Sequence, residues 1–392
     1  MQKLSISGPA ELLAIIPYQL GFVPTRSVVL VSFHDRCLGL VARLDIPPSE
    51  LVSDAAGQLL EVVQREAPSS AVLVGFEQDP GESRELLDAL TTLLDDEGIV
   101  LRQQLVVRGG RWYCADACGT CPTEGEPMPE CPDVPAVAGY VALGRSVLPS
   151  REAVEDLFAV SDDAEQEVVL AIDDFVEELV LAKLREDGPR GASQRRAGQC
   201  ADGQSADGQR GGAVGGGARP AVGRSDHDAL VHGSFEAWSR LMRGDFDPDL
   251  PAAQLPALLG GLRDVHVRDA IIAWLSPTTL ALEELPPRVV EALAEHVDLP
   301  GRAERSAAEP SWFGTDERDL IQTRLELLCR HSPDEHAAPI LGIAASFAWA
   351  NGNGARASAA LDRAFEVEPQ HRLCHLLRQM VDHGIRSGQR SA

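Results

Sequence analysis

Ser27 to Phe33, "SVVLVSF", and Cys37 to Ile46, "CLGLVARLDI", are two β-rich runs separated only by "HDR". Branched side chains suit a pleated backbone, so this pair predicts a β-hairpin. Helix signals follow. In "SELVSDAAGQLLEVVQREA", Ser49 is a candidate N-cap, and Leu51, Ala55, Leu59 and Val62 fall at helical spacing. "AVLVGFE" (Ala71 to Glu77) is a short continuous apolar run of the kind that sits mid-sheet. "GESRELLDALTTLLDDEG" predicts a second helix ending near Gly98, "IVLRQQLVVRG" another strand, and "RWYC" its return strand across Gly109-Gly110. "VAGYVALG" (Val137 to Gly144) reads as one more strand. This alternation predicts an α/β N-terminal domain, a mixed sheet with flanking helices.

From "PSREAVEDLF" onward the pattern becomes helical. In "DDAEQEVVLAIDDFVEELVLAKLRED", Val168, Ile172, Phe175, Leu179 and Ala182 form one stripe; Asp163, Glu167, Asp174 and Glu178 lie opposite, as a solvated face would. Gly188 to Arg224 is Gly-rich and almost devoid of large apolar residues, the composition of a flexible linker. The expected division is an α/β domain over residues 1–187, a linker over 188–225 and an all-α domain over 226–392. Within the last, Gly352, Ala357, Leu361, Ala364 and Pro369 match one tetratricopeptide-like helical pair.

Composition narrows the partners. The 392-residue chain carries a net charge of −25, which disfavours binding to nucleic acid and electrostatic docking on anionic membranes. Only two lysines occur, Lys3 and Lys183; every other basic side chain apart from histidine is arginine. No apolar run approaches the ~20 residues that span a bilayer. Glu11 and Pro17 interrupt the first apolar stretch, which argues against a secretory signal. The expected compartment is the cytoplasm, where cysteines stay reduced.

Four of the eight cysteines cluster in "RWYCADACGTCPTEGEPMPEC". Cys114, Cys118, Cys121 and Cys131 are candidate ligands of a structural zinc, whose four thiolates would close the coordination shell. A reversible disulfide and non-coordinating loop thiols are the alternatives. The Cys114, Cys118, Cys121 spacing also suits a radical iron–sulfur centre, but the long βα barrel such chemistry requires is missing downstream. In "HRLCH", His371 and His375 lie one helical turn apart beside Cys374, without the Glu of a zinc protease. "LRDVHVRD" alternates charge through Arg263, Asp264, Arg268 and Asp269 around His266; salt bridges along a helix are the plain reading, and a polar pocket with His266 as acid–base group is the functional one. No dinucleotide fingerprint, P-loop or nucleophile elbow occurs.

Several phrases together resemble the actinobacterial domain-of-unknown-function 4192 family. They are "PAELLAIIPYQLGFVPTRSVVLV", "ALGRSVLPSREAV" (Ala142 to Val154), "LRDVHVRDAIIAWL" (Leu262 to Leu275) and "FAWANGNGARASAALDRAFEVEPQHRLCHLL". The resemblance covers nearly the whole chain apart from the linker and implies no activity or functional residue. Family members carry adjacent cysteines before a Pro where this chain has "TCP", and mainly aromatic, small and basic residues where it has His371, Cys374 and His375. The resulting expectation is a non-catalytic interaction or regulatory protein whose helical domain holds a protein partner. The alternatives are an enzyme or small-ligand binder with its pocket at the strand ends of the α/β domain, and a zinc-stabilised scaffold. No cofactor beyond that zinc is expected.

Overall fold

A computed structural model describes residues 8–35, 37–115, 122–130, 134–142, 145–159, 166–187, 225–246, 249–299 and 313–383. Its N-terminal part is a mixed sheet of six strands, the second in chain order lying at one edge beside the first and the others following in sequence. The predicted hairpin is β1 (Ser27–His34) and β2 (Cys37–Asp45), antiparallel with a register irregularity between Val31 and Phe33. β3 (Ser70–Phe76) pairs antiparallel with β1 and parallel with β4 (Val100–Arg108). A turn with Gly109 and Gly110 both at positive φ leads to β5 (Arg111–Cys114), and β6 (Glu126–Pro127) forms the far edge.

Period-two alternation sends β1 and β3 side chains into two separate cores. On one face, Val29, Val31, Val72 and Val74 pack under α1 (Pro9–Leu20) and α4 (Pro135–Ala142). On the other, Val28, Leu30, Ala71 and Leu73 pack under α2 (Val52–Glu66) and α3 (Arg84–Asp96). β3 is buried along its whole length, as its uninterrupted apolar sequence requires. Helix α4 corrects the strand expected at Val137–Gly144. Pro135 suits a first helical turn, and Ala136, Val137 and Tyr140 bury one face at helical spacing. A short apolar run has no periodicity long enough to separate the two states.

Gly75 shows how tightly α3 seats on the sheet. A Cβ there would stand 2.1 Å from Ser83 Oγ, 2.8 Å from Ser83 Cβ and 3.2 Å from Leu87 Cδ1. Gly75→Ala must displace the start of α3, and urea unfolding should show a loss of ~1–3 kcal/mol, the usual cost of overpacking. A change within ~0.3 kcal/mol would mean that the turn yields freely.

Beyond α4, the regular elements among the described residues are helices: α5 (Arg151–Glu155), α6 (Gln166–Asp187), α7 (Asp226–Arg243), α8 (Leu255–Leu259), α9 (Val265–Leu275), α10 (Pro287–Ala294), α11 (Thr315–Arg330), α12 (Asp334–Ala350), α13 (Gly354–Val367) and α14 (Arg372–Asp382). They share one core, built on Phe235, Trp238, Ile271, Leu325, Phe347 and Leu361. Phe158 and Ile172 belong to the same core, so α6 packs with the helices beyond residue 225 although it precedes the expected boundary at 187. Gly260 permits this, because a Cβ there would come within 2.8 Å of Phe175 of α6. The expected linker lies outside the described residues, Ser225 apart. Ser225 itself caps α7, its hydroxyl accepting from Asp228 N at 3.1 Å. Among the described residues no helix is long and apolar enough to cross a membrane.

Candidate functional site

Four helix ends meet where the sheet region touches the helical region. α1 stops at Gly21, whose φ of 84° gives a left-handed C-cap. Gly21 lies against Asn353, the N-cap of α13, whose Oδ1 accepts from Arg356 N at 3.1 Å. α12 ends at Asn351, and the first turns of α11 supply Arg318, Asp319 and Gln322. Together with Arg145 they line a cleft of about 240 Å³.

Three guanidiniums converge here. Arg318 Nη1 donates to Asn351 Oδ1 at 3.4 Å, and Arg356 Nε lies 2.9 Å from Glu326 Oε1. Gln322 Nε2 also donates to Glu326 Oε1, at 2.8 Å. Glu326 is buried, and loss of solvent pushes its carboxyl above the usual range despite the pull of Arg356. Arg145 lies over the ring of Tyr140, which stacks on Tyr18 and accepts a hydrogen bond from Gln19 Nε2. Asp319 keeps an exposed surface, yet desolvation raises its carboxyl and outweighs the opposing fields of Arg356, Arg318 and Arg145. The N-terminus of α13 adds its dipole to the positive side of the cleft.

A wider cleft of about 630 Å³ adjoins it, sharing Gln19, Arg145 and Gly352. Its walls include Phe22, Leu59, Val62, Trp349 and Ala355, with five consecutive residues of the edge strand, Gly39 to Arg43. Ile46 N donates to Arg26 O, so the alternating antiparallel pattern turns the backbone of Val41 and Arg43 away from β1, towards this cleft.

At the carboxyl ends of β3 and β4, Glu77 gathers four donors. Glu77 Oε1 accepts from Ser83 N at 3.1 Å and Ser83 Oγ at 2.7 Å; its Oε2 accepts from Gly81 N at 3.1 Å and Arg108 Nη1 at 2.8 Å. Of the four sequence-predicted zinc ligands, one lies among the described residues. Cys114 ends β5 half-buried, while Cys118, Cys121 and Cys131 lie outside the described residues.

In "LRDVHVRD", Arg263 and His266 are exposed, and Arg268 forks onto its neighbour Asp269 at 3.0 and 2.8 Å. Asp264 is different. It caps α9, accepts from His266 N at 2.8 Å, and is buried between Lys183 Nζ at 2.6 Å and His227 Nε2 at 3.2 Å. Desolvation works to raise its pKa, but bonds from His227, Lys183 and His266 N overcome it and hold the carboxyl far below the usual range. Sequence reasoning missed Lys183 and His227; the one available signal was a lysine in a chain otherwise built with arginine.

The "HRLCH" residues do not converge. His371 Nδ1 lies 3.0 Å from Cys374 Sγ, whereas His375 Nε2 lies 2.8 Å from Pro369 O. Burial lowers the His371 pKa and pushes the Cys374 thiol up to about 12, which disfavours a reactive thiolate.

The sequence matches the family described as "Domain of unknown function (DUF4192)" over residues 9–387. No curated protein and no solved structure matches it.

Proposed function

We propose that this chain, which belongs to the DUF4192 family, binds a small anionic ligand in the arginine-lined cleft between its sheet and its helices. One observation carries the reading. In a chain of net charge −25, Arg145, Arg318 and Arg356 surround one exposed carboxylate at a helix N-terminus. Guanidiniums recognise carboxylate and phosphate groups by paired hydrogen bonds. The adjoining cleft, with Phe22, Val62 and Trp349 in its walls, would take the ligand's less polar body.

The test is calorimetric titration of the full chain with inorganic phosphate and with citrate against a chloride background. Saturable binding of one equivalent is expected. Arg145→Ala and Arg318→Ala should each weaken it about 10–100-fold, the worth of one charged hydrogen bond. Asp319 competes with the anion. Because its pKa is raised, it loses its charge at a higher pH than an ordinary aspartate, so this repulsion eases as pH falls. Asp319→Asn should bind several-fold more tightly at pH 7 and flatten that dependence. Equal affinity in parent, Arg145→Ala and Arg318→Ala would dispose of the site.

A second reading, a partner protein held at the junction, is supported by the free edge of β2. An extended segment would add to it through the backbone of Val41 and Arg43. The α12–α13 pair, with Ala357, Leu361 and Ala364 buried in its seam, would be the tetratricopeptide-like element of that surface. Slowed amide exchange at Val41 and Arg43 on binding would favour it; unchanged exchange there would not.

A further inference from the structure

We infer that Glu186, His227 and Asp228 form a binding site for a divalent transition cation of the zinc type, remote from the arginine-lined cleft and independent of that reading. Glu186 stands in the last turn of α6, and His227 and Asp228 in the first turn of α7. One ligand atom from each lies within 4.8 Å of the other two, and His227 Nδ1 is 3.8 Å from Glu186 Oε2.

The second observation lies behind the ring. His227 Nε2 is 3.2 Å from Oδ2 of Asp264, a carboxylate only 2% exposed and fixed by Lys183 Nζ and His266 N. That acceptor favours the tautomer protonated at Nε2 and leaves the Nδ1 lone pair on the side of Glu186. Metal-binding histidines almost always donate their second ring N–H to such a carboxylate, which sets ring orientation and raises basicity. One imidazole nitrogen and two carboxylate oxygens suit zinc and its neighbours. The cation would draw the exposed Asp228 and the half-buried Glu186 inwards. Three protein ligands leave a position for water, unlike a closed four-thiolate site. The competing arrangement is His227 lying between Glu186 and Asp264 without any metal.

Cobalt titration of the full chain, stripped with chelator and kept reduced, separates these cases. Thiolate ligation by the cysteine cluster gives an intense near-ultraviolet charge-transfer band, whereas nitrogen and oxygen ligation gives only weak visible bands. We expect one cobalt equivalent lacking the thiolate band and displaced by zinc. Glu186→Gln and Asp228→Asn, neither of which disturbs a core, should each weaken it at least ~10-fold, and His227→Ala should abolish it. Asp264→Asn should retain the equivalent but weaken it about 10–100-fold. If the parent takes up no such equivalent, or Glu186→Gln and Asp228→Asn bind it as tightly as the parent, the inference is overturned.

Discussion

Glu77→Ala is expected to lower the unfolding free energy by ~3–5 kcal/mol, the usual cost of leaving a buried ion pair half-made. The Glu77 side chain is 2% exposed and serves Ser83 N, Ser83 Oγ, Gly81 N and Arg108 at once. Removing it strands the donors that start α3 and leaves the Arg108 guanidinium facing a cavity at the end of β4. Glu77 N continues the β3–β4 ladder by donating to Val107 O at 2.9 Å, a backbone bond that the substitution leaves in place, so the loss reports the side chain. Glu77→Gln keeps an acceptor for Ser83 but loses the charge opposite Arg108, so its loss should fall between parent and Ala. Arg108 is 27% exposed, and Arg108→Ala should cost less than Glu77→Ala because water can reach part of the gap. Urea unfolding at pH 7 checks the order. A Glu77→Ala loss below ~1 kcal/mol would show that the turn is held by its backbone alone.

The same residues show what could be read from the sequence. The β1–β2 hairpin announced itself by its branched residues either side of a short turn, α2 and α3 by helical spacing long enough to be counted, and β3 by its unbroken apolar run. α4 did not, because eight residues rich in Ala and Val fit either backbone. Asp264 stood out as part of an alternating charged helix, but its partners could not be read locally. Lys183 arrives from α6 and His227 from α7, and neither segment carries a pattern that binds it to α9. The arginine-lined cleft was invisible for the same reason. Arg145 precedes an isolated bridge between Leu148 and Phe22, Arg318 sits in a helix start, and Arg356 opens another. The packing of α11 on α12 and of α12 on α13 sets Arg318 near Arg356, and the meeting of Gly21 with Asn353 brings the Arg145 segment beside them. The position of α6 was equally hidden, because an amphipathic stripe states that a face is buried without naming its cover.

Asp264 makes the stability depend on pH. Asp264→Ala should lose ~1–3 kcal/mol at pH 7, since it removes the acceptor of His227 and of Lys183, whose side chain is 43% exposed, and uncaps α9. Asp264→Asn isolates the charge, as an amide still caps a helix. The native pKa of Asp264 lies below its unfolded value of ~3.9, so at neutral pH both states are ionised and the stabilisation is fully present. As pH falls through that value, the unfolded chain takes up a proton that the native chain refuses, and stability declines. Parent and Asp264→Asn should therefore differ most above about pH 5 and converge as the solution is acidified. Urea midpoints measured from pH 7 down to pH 3 test this directly. A gap that stays constant over that range would assign the role of Asp264 to helix capping rather than to its charge.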